Sequence, residues 1–391
     1  MEINGKPGKI MYLTHLDARD KREWSGTLYY MAQSLKKHAG EVVYAGPYYP
    51  KLLFLILKII NRLSLIIFKK RYNTPYNYFL SLVYKYHFTK KIRKEKPDIV
   101  FAPAASGEMS RLKTDRPVIY LGDITLNLLI DRYPNFTNLS RLSLWEGEIV
   151  ERSTFRNAAA LVFSSQWAAD SAMNDYNVPP EKIHIIPYGA NMDRLPEKEE
   201  VTVKKIGRPL KLLFLGVDWV RKGGDIVFNT FIELKKQGID VELTVIGCTP
   251  PEKYRDPAMK VIPFLNKNNE KDAEVLYNIL MDSNFLFVPS RSDCTPIAFC
   301  EANAFGLPVI TTDVGGIGSV IEDGVNGHLL SPDDPPARYA AIISSYNDNN
   351  GNYSAFVKSS REYYEKNLNW DQWGRSMDRL MTALIRAENS N

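Results

Sequence analysis

Residues 285–312 read FLFVPSRSDCTPIAFCEANAFGLPVITT, and this stretch decides the fold. Four apolar residues, Phe285–Val288, form a run too short for a buried helix and too apolar for a surface strand. A polar loop follows from Pro289 to Thr295, and an apolar helical pattern then starts near Pro296. Proline suits a helix start, where its missing N–H removes one of the unpaired donors. After Gly306-Leu307-Pro308, a second β-rich run begins at Val309. Strand, helix and strand in this order describe a parallel βαβ unit whose sheet is buried on both faces.

The same rhythm extends outward in both directions. Strands are expected in the first half near 10–14, 42–45, 99–102, 118–121, 160–164 and 184–187. In the second half they are expected near 212–216, 242–246, 261–263, 285–288, 309–311 and 328–330. Helical patterns fill the gaps, including 26–38, 225–237, 273–281 and 297–305. The fold class is therefore α/β, with two doubly wound Rossmann-like domains across a central cleft. The domains are expected at 1–190 and 205–370, with polar, turn-rich Tyr188–Pro209 as linker. No internal repeat, GxGxxG after the first strand or Walker GxxxxGK[ST] is present, which removes the main support for a dehydrogenase or P-loop enzyme.

The 391 residues, 45% hydrophobic and 24% charged, have the composition of an ordinary globular protein. The start of the chain carries no secretory-signal pattern. Three cysteines, Cys248, Cys294 and Cys300, are too few and too irregularly spaced for a zinc site or disulfide framework. A cytoplasmic location is expected. Residues 1–190 carry 27 Lys and Arg against 17 Asp and Glu, whereas residues 191–391 carry 23 against 28. From Val42 to Lys94 there are 11 cations and no acid.

Inside that window, KLLFLILKIINRLSLIIFKKRY (Lys51–Tyr72) has Lys58 and Arg62 on one helical face among Leu, Ile and Phe. Its longest unbroken apolar run, Leu52–Leu57, is far short of the roughly 20 residues needed to span a bilayer. The pattern predicts a basic amphipathic helix lying on an anionic membrane through residues 51–71. The alternative is a core-facing helix whose long cations snorkel to water. No nucleic-acid partner is expected.

Ligands of doubly wound sheets bind beyond the carboxyl ends of the strands, which directs attention to two loops. In DWVRKGGD (Asp218–Asp225), glycines and two cations lie between a strand and a helix, an arrangement that suits an anion; the plainer reading is a solvated basic turn. In the 285–312 stretch, the amides of Ile297, Ala298 and Phe299 would open a second helix N-terminus. Asp293 precedes that helix and Glu301 lies eight residues later. Individually, Asp293 could be a cap and Glu301 a solvated helix residue.

Together these motifs resemble the family 4 glycosyltransferases, which are retaining, nucleotide-sugar-dependent enzymes of GT-B fold. The family's Glu-x7-Glu is matched by Asp293 and Glu301, followed by ANAFGLPVI. Its phosphate clamp after the first strand of the second domain is matched by adjacent Arg221 and Lys222. WSGTLYYMAQSL, FSSQWAADSA, IIPYGAN, VIPFLNK and NLNWDQW extend the resemblance over roughly residues 10–385.

The resemblance implies that Arg221 and Lys222 hold the donor diphosphate, with Asp293 and the amides around Thr295, Pro296, Ile297 and Ala298 on the donor sugar. It implies that Glu301 takes the ribose hydroxyls and that the base lies near Phe264 and Leu265. Ser25, Gly26 and Thr27 would close over the diphosphate, and His15, Asp123 and Thr125 would lie on the acceptor side. The final helix, 371–391, would cross back to the first domain. Asp in place of Glu at 293 has a shorter reach.

The expected activity is hexose transfer from a UDP-sugar, such as UDP-glucose, to a saccharide or lipid-linked acceptor in polysaccharide or glycolipid synthesis. The implied mechanism is retaining and uses no cofactor. Without an Asp-x-Asp after a strand, no divalent metal is expected to hold the diphosphate. Two alternatives are a UDP-sugar epimerase of the same fold and a non-catalytic carbohydrate- or lipid-binding scaffold.

Overall fold

A computed structural model describes residues 7–347 and 349–389, and the chain divides into two compact units. One runs to Ile186 and takes back the chain from Trp373; the other is Pro187–Gln372. Residues 188–209, expected as linker, thus belong to the second unit and include a short helix. Tyr188, Ala190 and Val201 are buried there, so apolar side chains anchor a segment whose polar composition suggested a free connection.

The first unit contains β1 (Lys9–Tyr12), α1 (Thr27–His38), β2 (Glu41–Tyr44), α2 (Lys51–Phe68), α3 (Tyr78–Glu95) and β3 (Ile99–Pro103). There follow α4 (Ser106–Met109), β4 (Val118–Gly122), α5 (Leu126–Leu129), α6 (Arg141–Asn157), β5 (Ala160–Phe163), α7 (Gln166–Tyr176) and β6 (Ile183–Ile185). All six strands are parallel, in the order β2-β1-β3-β4-β5-β6. The inner strands β3, β4 and β5 are buried at every position, as expected of apolar runs covered by helices on both faces.

The second unit contains α8 (Lys198–Thr202), β7 (Leu210–Leu215), α9 (Gly224–Lys236), β8 (Val241–Ile246), β9 (Met259–Ile262), α10 (Glu270–Asp282) and β10 (Phe285–Val288). It continues with α11 (Ile297–Ala304), β11 (Val309–Thr312), β12 (Gly327–Leu330), α12 (Pro336–Asn347), α13 (Asn350–Asn367) and the start of α14 (Trp370–Asn389). Its strands are also parallel, in the order β12-β11-β10-β7-β8-β9. Phe285 lies opposite Leu212, and Leu286 opposite Val309, so the FLFV run occupies the middle of the sheet. The remainder of α14 belongs to the first unit, where buried Trp373 meets the Phe101 ring edge-on at 5.9 Å.

The helix α2 departs from ordinary core packing. Only Leu57 is buried, with Leu53 and Phe54 partly buried against the first unit's core. Leu52, Leu55, Ile59, Leu63 and Ile66 are exposed. The core-facing alternative does not hold, because the apolar face points away from the sheet. Among the described residues no helix is long and apolar enough to cross a membrane.

Candidate functional site

In the second sheet the winding reverses between β7 and β10, since β7 leads to β8 on one side and has β10 on the other. This switch point is where open α/β sheets place ligands. The loops leaving the two strands carry the Arg221–Lys222 pair and Asp293.

Backbone geometry holds these loops together. Gly223 has φ +74, and a Cβ there would lie 2.0 Å from the Pro289 carbonyl oxygen. Only glycine allows the approach. Arg291 N–H donates to the Arg221 carbonyl at 2.7 Å. The Arg291 guanidinium donates to the Val220 carbonyl (2.6 Å) and in two-pronged fashion to Asp225 at 2.8 and 2.7 Å. That hydrogen bonding, led by the Arg291 side chain, holds the Asp225 carboxyl below its ordinary pKa. Arg291 and Asp225 therefore fasten the turn to the first turn of α9. Sequence reasoning missed Arg291, which belongs to no recognised motif.

The Arg-Lys pair is not a solvated turn. The side chains of Arg221 and Lys222 are only 19% and 12% exposed. Arg221 donates to the Ser292 carbonyl (2.9 Å), and its Nη1 lies 3.7 Å from Asp293 Oδ1. Lys222 Nζ is paired directly with Asp293 Oδ2, which also accepts from the Ser290 hydroxyl at 3.0 Å.

Asp293 does not cap the helix. Pro296 occupies the N-cap position without a side-chain cap, while the Asp293 carboxylate turns toward the cations. Its carbonyl faces Gly315, whose φ is +61 and where a Cβ would lie 2.0 Å away. At the α11 start, Phe299 N–H donates to the Pro296 carbonyl at 3.0 Å. Of the three expected amides, Phe299's is thus taken up, leaving those of Ile297 and Ala298 at the open first turn. Thr295 and Pro296 are buried just before them.

Glu301 is 1% exposed, so it is no solvated helix residue. Its carboxylate pairs with Lys267 Nζ and accepts the backbone N–H of Asn191. Burial raises the Glu301 pKa, against the opposing pull of Lys267. Asn191 is held in turn by Trp370 Nε1, which donates to its side chain at 3.1 Å. The chain at 370 crosses so closely that a Cβ on Gly189 would sit 2.5 Å from its backbone nitrogen. These contacts bring the IIPYGAN and NLNWDQW segments together. Lys267 was not singled out, although it ends VIPFLNK. In the same loop, Phe264 is 67% exposed and Leu265 packs against the core, so the two differ in access to a ligand.

The first unit's switch point lies between β1 and β3, and side chains from both following loops meet there. His15 Nδ1 lies 2.6 Å from Glu108 Oε1, which also accepts the His15 backbone N–H at 2.9 Å. Burial alone would lower the imidazole pKa. The charge and hydrogen bond of Glu108, with the charge of Glu23, outweigh burial and hold it above 6.5. The ring stacks on Tyr84, with Tyr49 and Phe54 beside it.

Trp24, Ser25 and Gly26 have φ 47, 55 and 88, a left-handed run leading into α1. Ser25 is exposed, whereas Thr27 is buried and begins the helix. Asp123 is half-buried after β4. Thr125 is a correction. It is 0% exposed and shares its hydroxyl with Ser171 at 2.6 Å, so it anchors a loop and presents nothing to an acceptor.

Residues 26–194 match the family model described as Glycosyltransferase Family 4, and residues 209–348 match the one described as Glycosyl transferases group 1. A D-inositol 3-phosphate glycosyltransferase of Corynebacterium kroppenstedtii is 24% identical over 61% of this chain and 56% of its own length. The match thus spans little more than half of that curated relative. Among solved structures, a sucrose-phosphate synthase from Thermosynechococcus elongatus superposes with TM-score 0.67 at 16% identity, covering 97% of this chain and 99% of that one. Anabaena HepE, solved in complex with UDP and glucose, gives TM-score 0.62 at 14% identity, covering 96% of this chain and 100% of that one. These likenesses show the two-domain GT-B fold.

Proposed function

The chain belongs to the family 4 glycosyltransferases, and from that premise we propose that it moves a hexose from a UDP-sugar, such as UDP-glucose, to a saccharide or lipid-linked acceptor with retention of configuration. One observation carries the reading: two carboxylate–lysine pairs, Asp293–Lys222 and Glu301–Lys267, stand beside the switch point of one sheet. Both lysines already lie in low-exposure surroundings and both carboxylates are buried.

Lys222 and Arg221 would take the donor diphosphate, and the amides of Ile297 and Ala298 would add partial positive charge. Glu301 would accept the ribose hydroxyls, exchanging part of its bond to Lys267. Phe264 offers an exposed ring beside Leu265 for the base. Asp293 would hold the donor sugar.

As the anomeric carbon–oxygen bond breaks, its electron pair passes to the diphosphate. Fixed cations there are worth most in the transition state, about 2.7–4 kcal/mol for one well-placed donor. Asp293 is engaged by Lys222 and Ser290, and so is poorly placed as a covalent nucleophile. Retention is then best served by attack of the acceptor hydroxyl from the face the diphosphate leaves, with its proton passing to a phosphate oxygen. Since Arg221 and Lys222 supply the cationic charge, no divalent metal is required.

A lipid-linked acceptor would be met at the inner face of an anionic membrane, to which the enzyme attaches peripherally through residues 51–71. The product would enter polysaccharide or glycolipid synthesis. UDP release from UDP-glucose, with and without a lipid-linked acceptor and in the presence of EDTA, tests the reading. Acceptor-dependent, EDTA-insensitive release is expected. Epimerisation without UDP release, or no turnover with any acceptor, would overturn it.

A further inference from the structure

The outer face of α2 shows how such a membrane contact would be made. At 100° per residue, its inward positions form one stripe: Leu53, Leu57, Asn61 and Ser64. Leu57 is buried, Asn61 accepts the Tyr72 N–H at 2.9 Å, and the Ser64 hydroxyl donates to the Lys70 carbonyl at 2.8 Å. The opposite stripe is Leu52, Leu55, Ile59, Leu63 and Ile66, all exposed. Lys51, Lys58 and Arg62 run along one flank between the stripes. The helix is therefore anchored on one side, aliphatic on the other and cationic along an edge.

Its C-terminal end is tied to α6. Arg71 bridges to Leu139, and the Asn138 amide donates to the Lys69 carbonyl at 2.7 Å. The buried Glu146 carboxylate accepts from the Tyr72 hydroxyl (2.5 Å) and the Asn77 amide (3.1 Å). Next to Glu146, the first turns of α6 expose Leu142 and Trp145. A tryptophan 59% exposed, on the helix to which the segment after α2 is tied, is in the setting that favours a lipid–water boundary.

We propose that the outer stripe of α2, together with Leu142 and Trp145, inserts into the acyl region of an anionic lipid monolayer while the flanking cations stay at phosphate level. This deepens the membrane attachment proposed above and rests on it. An apolar surface of this extent exceeds the scattered exposure usual on soluble monomers. Charge selects the occupant: the window Val42–Lys94 has 11 cations and no acid, which suits lipid phosphates. A second copy would bring the same cations against themselves.

The test uses the full chain with phosphatidylcholine vesicles, with and without phosphatidylglycerol, carrying brominated acyl chains that quench nearby indoles. The inference predicts quenching on anionic vesicles that persists at high salt and falls in Trp145→Phe. Ile59→Glu with Ile66→Glu should weaken partition by at least about tenfold, because interfacial binding scales with buried apolar area. UDP affinity should stay unchanged, since neither residue belongs to the donor site. Binding without quenching would overturn insertion while leaving surface attachment standing; no binding to anionic vesicles would remove both. Self-association in solution that the same substitutions abolish would assign the face to a second copy and also overturn the inference.

Discussion

Replacing Lys222 by alanine isolates the charge that the proposed mechanism depends on most. In the unliganded protein Lys222 Nζ is committed to Asp293, and its side chain is only 12% exposed. A bound diphosphate would share that ammonium and draw on it more strongly as charge builds on the leaving oxygen. Losing one such group costs about 2.7–4 kcal/mol of transition-state stabilisation, equivalent to about a 100- to 1000-fold fall in kcat/KM.

The cost to the fold should be much smaller. Breaking a fully buried ion pair costs about 3–5 kcal/mol because a charge is stranded. Here Asp293 keeps the Ser290 hydroxyl at 3.0 Å and the Arg221 guanidinium at 3.7 Å. A loss of about 1–2 kcal/mol is expected, within the range of ordinary point substitutions. Initial rates of UDP release, read with thermal unfolding of the same preparation, separate the two effects. A folded Lys222→Ala variant with kcat/KM within about fivefold of the parent would refute the clamp, since fivefold is only about 1 kcal/mol.

Glu301→Gln should weaken UDP binding by about tenfold, because the ribose loses a charged acceptor and Lys267 loses its partner; unchanged calorimetric affinity would make Glu301 purely structural. Gly223→Ala places a Cβ 2.0 Å from the Pro289 carbonyl at φ +74, so thermal unfolding should show a loss of at least about 2 kcal/mol together with reduced activity. The raised His15 pKa predicts stability fully present below the unfolded value of 6.5 and lost as pH rises through the higher folded value. An imidazole titration by NMR should therefore have its midpoint above 6.5 and move down in Glu108→Gln; a parent midpoint below 6.5 would contradict the pairing.

The sheets were legible because their strands are short apolar runs with helical patterns between them, and parallel packing leaves no alternation to misread. FLFV at 285–288 occupies the expected strand. The site was legible as two loops but not as a bonded set. Lys267 and Glu301 are 34 positions apart, and Arg291 meets Asp225 across 66, separations at which no local pattern signals contact. The acceptor-side placing of Thr125 came from the family resemblance alone, which carries no signal of its hydroxyl being held by Ser171, 46 positions away. In α2 periodicity identified a two-sided helix without saying which side faced out. The signal lay in Asn61 and Ser64, uncharged polar residues in an aliphatic run, which turn inward to bond backbone groups of the following loop.

The most direct measurement is a crystal structure of the full chain with UDP. The account predicts diphosphate oxygens within hydrogen-bonding distance of Lys222 Nζ and the Arg221 guanidinium, with both ribose hydroxyls on the Glu301 carboxylate. UDP bound elsewhere, with the Lys222–Asp293 and Lys267–Glu301 pairs undisturbed and remote from the nucleotide, would contradict it.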